Sequence, residues 1–269
     1  MSRLFLLKWG VILVDKTITA KGILFNIKTK NINLSVYDCV DSTNSLLKQM
    51  AIDGKDEGEV IIALSQTAGR GRYDRKFYSN EGGIYMSILL RPKALIDPAL
   101  LTAATAVAVS DAIEDVANKT TQIKWVNDIL INNKKVCGIL CEGGFRGNNG
   151  FIVVGIGINA YPTANGFNDE IRDIAGTVFD NYSLALCEQL TAKVIDNLFY
   201  QYNNLEKREF LSLYRQKNIV INKKVSILKQ GEIIASGTVL EIDDNCHVTV
   251  RLANGNLTTL SSGEVSVII

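Results

Sequence analysis

Histidine is almost missing from this chain: among 269 residues only His247 carries an imidazole. A Ser-His-Asp or Cys-His machine would have to be built on that one side chain. No Gly-x-Ser-x-Gly elbow accompanies it, and its polar C-terminal setting reads as surface. Cysteine is sparse and scattered. Cys39, Cys137, Cys141, Cys187 and Cys246 include no Cys-x-x-Cys pair. An odd, dispersed set argues against a disulfide framework or zinc site and for a reducing cytoplasm. Cys137 and Cys141, four apart, share one face of a strand as small apolar residues. Neither sign of charge is in excess: 29 Lys+Arg against 28 Asp+Glu leave +1. That gives no global electrostatic footprint for nucleic acid. Long apolar runs are missing too. Residues 5–14 are apolar but hold Lys8 and are too short to span a bilayer. No convincing cleavage site follows them. They read as a strand or a loosely attached extension, and no membrane association is expected.

What is present is a core. With 47% hydrophobic residues the chain can bury one large domain, or one plus a small one. A first helix opens at the capping run Asp41-Ser-Thr-Asn44 and puts Leu46, Leu47, Met50 and Ala51 on one face. A second has Asp97 as cap and Pro98 in its first turn, with Asn118 ending it. A third follows Ser183 with Leu186, Leu190, Val194 and Leu198 inward, and a further helical piece spans 206–217. Strands are expected at 60–64, 84–90, 122–126, 135–141 and 151–158. Beyond Ile219 short β-branched runs alternate with turn signals, the texture of a small all-β module of about five strands.

Four motifs carry candidate chemistry. Residues 69–75 read Gly-Arg-Gly-Arg-Tyr-Asp-Arg, between two expected strands. Glycines allow close backbone approach, and arginine forks match carboxylate or phosphate oxygens, so this loop suits a small anionic ligand. A solvated basic loop is the plainer alternative. Lys124-Trp-Val-Asn-Asp128 offers a lysine, an amide and a carboxylate at a strand end, suited to a nucleotide and its magnesium. In Lys134-Lys-Val-Cys-Gly-Ile-Leu-Cys-Glu142, Lys135 precedes Gly138, where a ligand can lie against the backbone. Gly155-Ile-Gly-Ile-Asn159 closes an apolar strand. It is not a dinucleotide fingerprint; its two glycines face one side and leave a flat slot with Asn159 at the end.

Taken in order from about residue 37 onward, these motifs, with Asp-Ser-Thr-Asn at 41–44 and Gln66-Thr-Ala-Gly-Arg-Gly-Arg72, resemble the biotin protein ligase family (biotin–acetyl-CoA-carboxylase ligase), of the type without a DNA-binding domain. The resemblance implies an α+β fold, a mixed sheet backed by helices as in class II aminoacyl-tRNA synthetases, with a small C-terminal SH3-like β-barrel. It implies residues 1–33 as an N-terminal extension of unknown role, 34–218 as the catalytic domain and 219–269 as the barrel. The implied reaction activates biotin with ATP, assisted by Mg2+, to biotinyl-AMP. The biotinyl group then passes to a lysine of a biotin carboxyl carrier protein domain of a biotin-dependent carboxylase. The implied setting is a cytoplasmic monomer or homodimer that binds neither nucleic acid nor membrane. Carried over residue by residue, Ser42, Thr43, Asn44 and Gln66 contact biotin, with Gly138, Leu140, Gly155 and Gly157 lining its slot. Arg70, Gly71, Arg72 and Lys135 hold carboxylate and phosphate. Phe77, Asn127 and Asn159 lie with ATP, and Lys124 and Asp128 join Arg72 and Lys135 as catalytic groups, Asp128 also as the metal ligand. The chain departs from the family at Tyr73, Asp74 and Phe77 in the loop, and Val126 stands where the motif has proline. The rivals are a lipoate–protein ligase-like adenylating enzyme and a non-catalytic biotin-binding regulator.

Overall fold

A computed structural model describes residues 17–94, 96–146, 149–229, 232–261 and 265–268. The reading of residues 5–14 lies outside the described residues. The main body is a seven-stranded sheet in the order β1-β2-β3-β7-β6-β5-β4. Its strands are β1 (Asn33–Tyr37), β2 (Glu59–Ala63), β3 (Gly83–Leu90), β4 (Gln122–Lys124), β5 (Asp128–Ile131), β6 (Lys134–Arg146) and β7 (Asn149–Asn159). Only β1 and β2 run parallel; every other neighbouring pair is antiparallel. The sheet is therefore mixed, as expected.

Both faces of the sheet are covered, so its central strands are apolar without alternation. All eight residues of β3 are buried. On one face, Val60, Ile62, Met86, Ile88, Val154 and Ile156 join the main core beneath α3 (Pro98–Ala117) and α4 (Leu184–Asn203). On the other, Ile61, Leu89, Phe151 and Val153 form a smaller core with Leu47 and Ala51 of α2 (Thr43–Asp53). The smaller core covers only part of that face. Past the N-terminus of α2 the same face carries Ser87, Gly138, Gly155 and Gly157, and there the cleft opens.

The helix ends are where the capping residues put them. Ser42 accepts from the Ser45 N–H at the start of α2. Asp97 accepts from the Ala99 N–H ahead of Pro98, and Asn118 closes α3 in the left-handed conformation. Ser183 caps α4. The last helical piece is shorter than expected, α5 spanning Phe210–Lys217 after a single 3-10 turn at Leu205–Lys207. Three elements were not legible. β1 and β5 are too short to show a period. Residues 17–33 carry α1 (Ala20–Asn26), whose Ile23 is fully buried and whose cap Thr19 bonds to Glu188 of α4. The strand expected at 122–126 stops at Lys124.

The C-terminal module is a five-stranded antiparallel sheet, β11-β10-β9-β8-β12. It comprises β8 (Lys224–Lys229), β9 (Glu232–Ile242), β10 (Val248–Leu252), β11 (Leu257–Leu260) and β12 (Val265–Ile268). Its ties to the main body include a buried and a half-buried donor on backbone carbonyls. Trp125 Nε1 donates to Cys246 O at 2.9 Å, and Arg215 Nε to Ile242 O at 2.8 Å. His247 is half-buried at the surface: its side chain is 23% exposed, with Nε2 3.5 Å from Asp97 and Nδ1 3.6 Å from Asp243. The helix cap and the Asp243 turn come together across the chain, which no local pattern could show. Among the described residues no helix is long and apolar enough to cross a membrane.

The cysteines divide by burial. Cys137 is fully buried with its thiol pushed far up, and burial raises Cys141 and Cys187 to about 11 and Cys246 to about 12. Only Cys39 is exposed. Since the thiolate is the reactive form, one thiol is expected to react rapidly with a disulfide reagent at pH 8 in the native protein, and five after denaturation. A second fast thiol in the native state would contradict this packing.

Candidate active site

Every residue to which the resemblance gives a catalytic or binding role lines one cleft of about 350 Å³. Its floor is set by glycines. Gly138 on β6 pairs with Gly157 on β7, and Leu140 with Gly155. Tyr85 on β3 lies beside Gly157 in turn. A methyl group on Gly157 would come within 2.5 Å of the Phe77 ring, and one on Gly138 within 2.8 Å. A methyl group on Gly155 would come within 2.2 Å of Asn44 Oδ1. The missing Cβ atoms are thus the space in which Phe77 and Asn44 lie. Phe77, which the sequence grouped with ATP, stands on the glycine slot, edge-on to Tyr85 at 6.3 Å. Burial pushes the Tyr85 phenol far up, and its hydroxyl donates to Asn80 O at 2.7 Å.

The end wall is the first turn of α2. Ser42 is spent as the helix cap. The Thr43 N–H and hydroxyl both donate to Gln66 Oε1, at 2.8 and 3.1 Å. Gln66 Nε2 donates to Ser79, which donates to Phe77 O. Ser87 Oγ lies 2.6 Å from Asn44 Oδ1 and 2.8 Å from Thr43 Oγ1, one proton serving between them. This chain of polar groups links helix, sheet and loop, and the buried members are all satisfied.

The roof is the loop joining β2 to β3. It is a closed hairpin, not a loose strand: Gln66 N donates to Ser79 O, Phe77 N to Gly69 O and Gly71 N to Arg75 O. A 3-10 turn covers Arg72–Asp74, with Tyr73 left-handed at φ 58°. The arginines do different things. Arg70 Nη2 is 2.7 Å from Glu142 Oε2. Arg72 Nη1 reaches Asn127 Oδ1 at 3.4 Å, its Nη2 donates to Tyr73 at 2.6 Å, and its guanidinium lies 4.8 Å from the Tyr73 ring centroid.

Opposite stands Lys135, its Nζ 2.6 Å from Asp128 and 5.7 Å from the Phe77 ring centroid. Asn127 donates to Ile139 O and Asn159 to Lys135 O, so both amides brace β6. Lys124 faces Asp128 across the β4–β5 pair. The rest of the wall escaped the sequence. Ile171, Ile174 and Ala175 line the cleft from the long connection after β7, held by Lys135 N donating to Ile174 O and Gly176 N to Lys135 O. Tyr78 bonds to Glu170 of the same connection. Glu142 ended a motif but had no role. Nothing in the spacing marks these residues, because they meet the site only across the sheet.

The cleft therefore puts cationic groups of a loop and a strand around a flat slot, an arrangement suited to a small anionic ligand with an apolar body. A sequence profile of the biotin/lipoate A/B protein ligase family matches residues 36–159. The bifunctional ligase/repressor BirA of Bacillus subtilis is 42% identical over 158 residues, 57% of this chain and 49% of its own length; the match thus spans about half of that relative. The biotin–[acetyl-CoA-carboxylase] ligase of Mycobacterium tuberculosis is 28% identical over 247 residues, 86% of this chain and 88% of its own. The structure of the Aquifex aeolicus biotin protein ligase in complex with biotin and ATP superposes with a TM-score of 0.72 at 30% identity, over 88% of this chain and 98% of that one. This chain belongs to the biotin/lipoate A/B protein ligase family.

The glycine floor can be tested without any ligand. Gly157→Ala should cost about 1–3 kcal/mol in urea unfolding, as overpacking does. In a Phe77→Ala background most of that cost should vanish. An undiminished cost there would mean that Gly157 accommodates something other than the ring.

Proposed function

We propose that this chain is a biotin protein ligase. It joins biotin to ATP as biotinyl-AMP and passes the biotinyl group to a lysine on the carrier domain of a biotin-dependent carboxylase. The observation that carries the reading is the meeting of Arg72, Lys135 and the slot of Gly138, Gly155 and Gly157 in one cleft. The full-length match to the Aquifex aeolicus ligase, solved with biotin and ATP, supports it. On this reading residues 34–218 form the catalytic domain and 219–269 the small, SH3-like module, in a cytoplasmic protein.

The chemistry asks for no protein nucleophile. A biotin carboxylate oxygen attacks the α-phosphorus of ATP, a P–O bond forms, and the bond to the departing pyrophosphate breaks. The obstacle is repulsion between two anions, so the protein's task is alignment and charge. The ring system enters the cleft above the glycine floor and packs against Phe77, which lies on Gly138 and Gly157. Lys135 faces the carboxyl, held in place by Asp128 at 2.6 Å. Arg72, steered by Asn127 and Tyr73, faces the phosphate. In the second step the acceptor amine attacks the acyl carbon, the C–O bond to AMP breaks, and the amine proton leaves to solvent. Lys135 and Arg72 again stabilise the oxygens that gain charge.

Among the described residues no three His, Cys, Asp or Glu side chains gather as a metal cage. The donor set suits magnesium only as an ion carried by the nucleotide, which takes one or two carboxylates besides phosphate oxygens. Asp128 would supply one, with Asn127 and Asn159 near it. Bound there, the ion would neutralise triphosphate charge.

The direct test is mass spectrometry after incubation with biotin, ATP and magnesium, with lipoate in a parallel reaction. Biotinyl-AMP is expected; its absence, or equal turnover of lipoate, would overturn the assignment. Lys135→Ala should cut biotin-dependent pyrophosphate release by about 100- to 1000-fold, the cost of losing one preorganised donor. Biotin affinity, read by calorimetry, should change far less. A variant with normal turnover and only weakened biotin binding would place Lys135 in ground-state binding instead.

A further inference from the structure

We infer that Glu142 is the post to which the arginine loop is latched, a positioning residue that ties the roof of the cleft to its end wall. The inference rests on the ligase reading for its functional consequence, though not for the latch itself. Glu142 stands on β6 beyond the glycine floor, paired with Val153. A single oxygen, Oε2, accepts from Arg70 Nη2 at 2.7 Å and from Asn44 Nδ2 at 2.8 Å. Three separate pieces of chain, the β2–β3 loop, the first turn of α2 and β6, therefore meet at one carboxylate.

Two physical points separate this contact from an ordinary surface ion pair. Exposed pairs contribute little because water and salt screen them. Here the Glu142 side chain is only 19% exposed and the Asn44 residue 5%, while the Arg70 side chain at the outer end is 38% exposed. The carboxylate is also an acceptor only. Together with Leu140 O, 3.3 Å from the same amide nitrogen, it obliges Asn44 to turn its NH2 toward β6 and its Oδ1 toward Ser87 and Gly155. Arg70 was grouped from sequence with the residues that hold the ligand's anions. Its guanidinium is already committed to Glu142, so its part is to hold the loop down, leaving the anions to Arg72 and Lys135.

The consequence is retention. A mixed acyl-phosphate anhydride reacts with water and with any amine, so it must stay under a closed loop until the acceptor arrives. Between Gly69 and Phe77 the hairpin is stitched mainly to itself. Its polar side-chain ties to the rest of the cleft include the short Arg70–Glu142 bond and the longer Arg72–Asn127 contact, and Phe77 adds an apolar one on Gly138, Gly157 and Tyr85.

The test uses the full chain and the variants Glu142→Gln, Arg70→Gln and the pair together. The first readout needs no ligand: trypsin cleavage after Arg72 or Arg75 under native conditions. Glu142→Gln and Arg70→Gln should each speed it roughly tenfold or more, the scale of one charge-assisted bond, and the double variant no more than either alone. The thermal midpoint separates this from general unfolding. Arg70, being partly exposed, can be replaced without risk to the core should Glu142→Gln fold poorly. Cleavage at the wild-type rate in Arg70→Gln, or effects that multiply in the double variant, would overturn the latch. The second readout is the half-life of bound biotinyl-AMP after gel filtration, expected to shorten in step with cleavage. A loosened loop with an unchanged half-life would overturn the role in retention. Absence of biotinyl-AMP from the wild type would instead defeat the ligase assignment, while the cleavage rates would still decide the latch.

Discussion

Three positions in the middle of the large sheet, Gly138, Gly155 and Gly157, have no side chain on the face turned toward α2, and the site depends on that bare patch. A sheet buried on both faces normally fills each position with a branched or aromatic residue. Here the opposite face does so with Cys137, Ile139, Val154, Ile156 and Ile158. The glycines weaken their strands locally, and the cross-strand placement of Gly138 against Gly157 concentrates the gap in one spot. Phe77 and Asn44 enter it from a loop and a helix. The helix–sheet core under Leu47 and Ala51 ends just short of the patch and so bounds the opening.

Around that patch the cations are held, and each is held differently. Lys135 has Asp128, Arg70 has Glu142, and Arg72 has the neutral partners Asn127 and Tyr73. The bond to Glu142 suits Arg70 to holding the loop, while Lys135 and Arg72 stand over the cleft itself. Tyr73, one of the loop's departures, supplies both a ring and a hydroxyl to Arg72.

The motif Lys124-Trp-Val-Asn-Asp128 works on both sides of the chain. Lys124, Asn127 and Asp128 look into the cleft, while Trp125 is buried and bonds to the carbonyl of Cys246. Tyr214 adds a buried hydroxyl bond to Val126 O. A stretch of five residues thus forms one wall of the site and also the seat of the C-terminal module.

Sequence by itself determined what is local. Caps at Ser42, Asp97 and Ser183, the apolar faces of three helices, the strands of 60–64, 84–90 and 151–158 and the change of texture after Ile219 all rest on contacts within a few residues. Part of the membership of the cleft was legible as well, because ordered motifs name residues without needing their geometry. Tertiary structure alone decided who touches whom. It moved Phe77 onto the glycines, committed Arg70 to Glu142, drew Ile171 and Ile174 into the wall, buried Ile23 of α1 and set His247 between Asp97 and Asp243. Each of those facts joins residues far apart in the chain, and a distant pairing leaves no period, cap or turn signal for a single sequence to display.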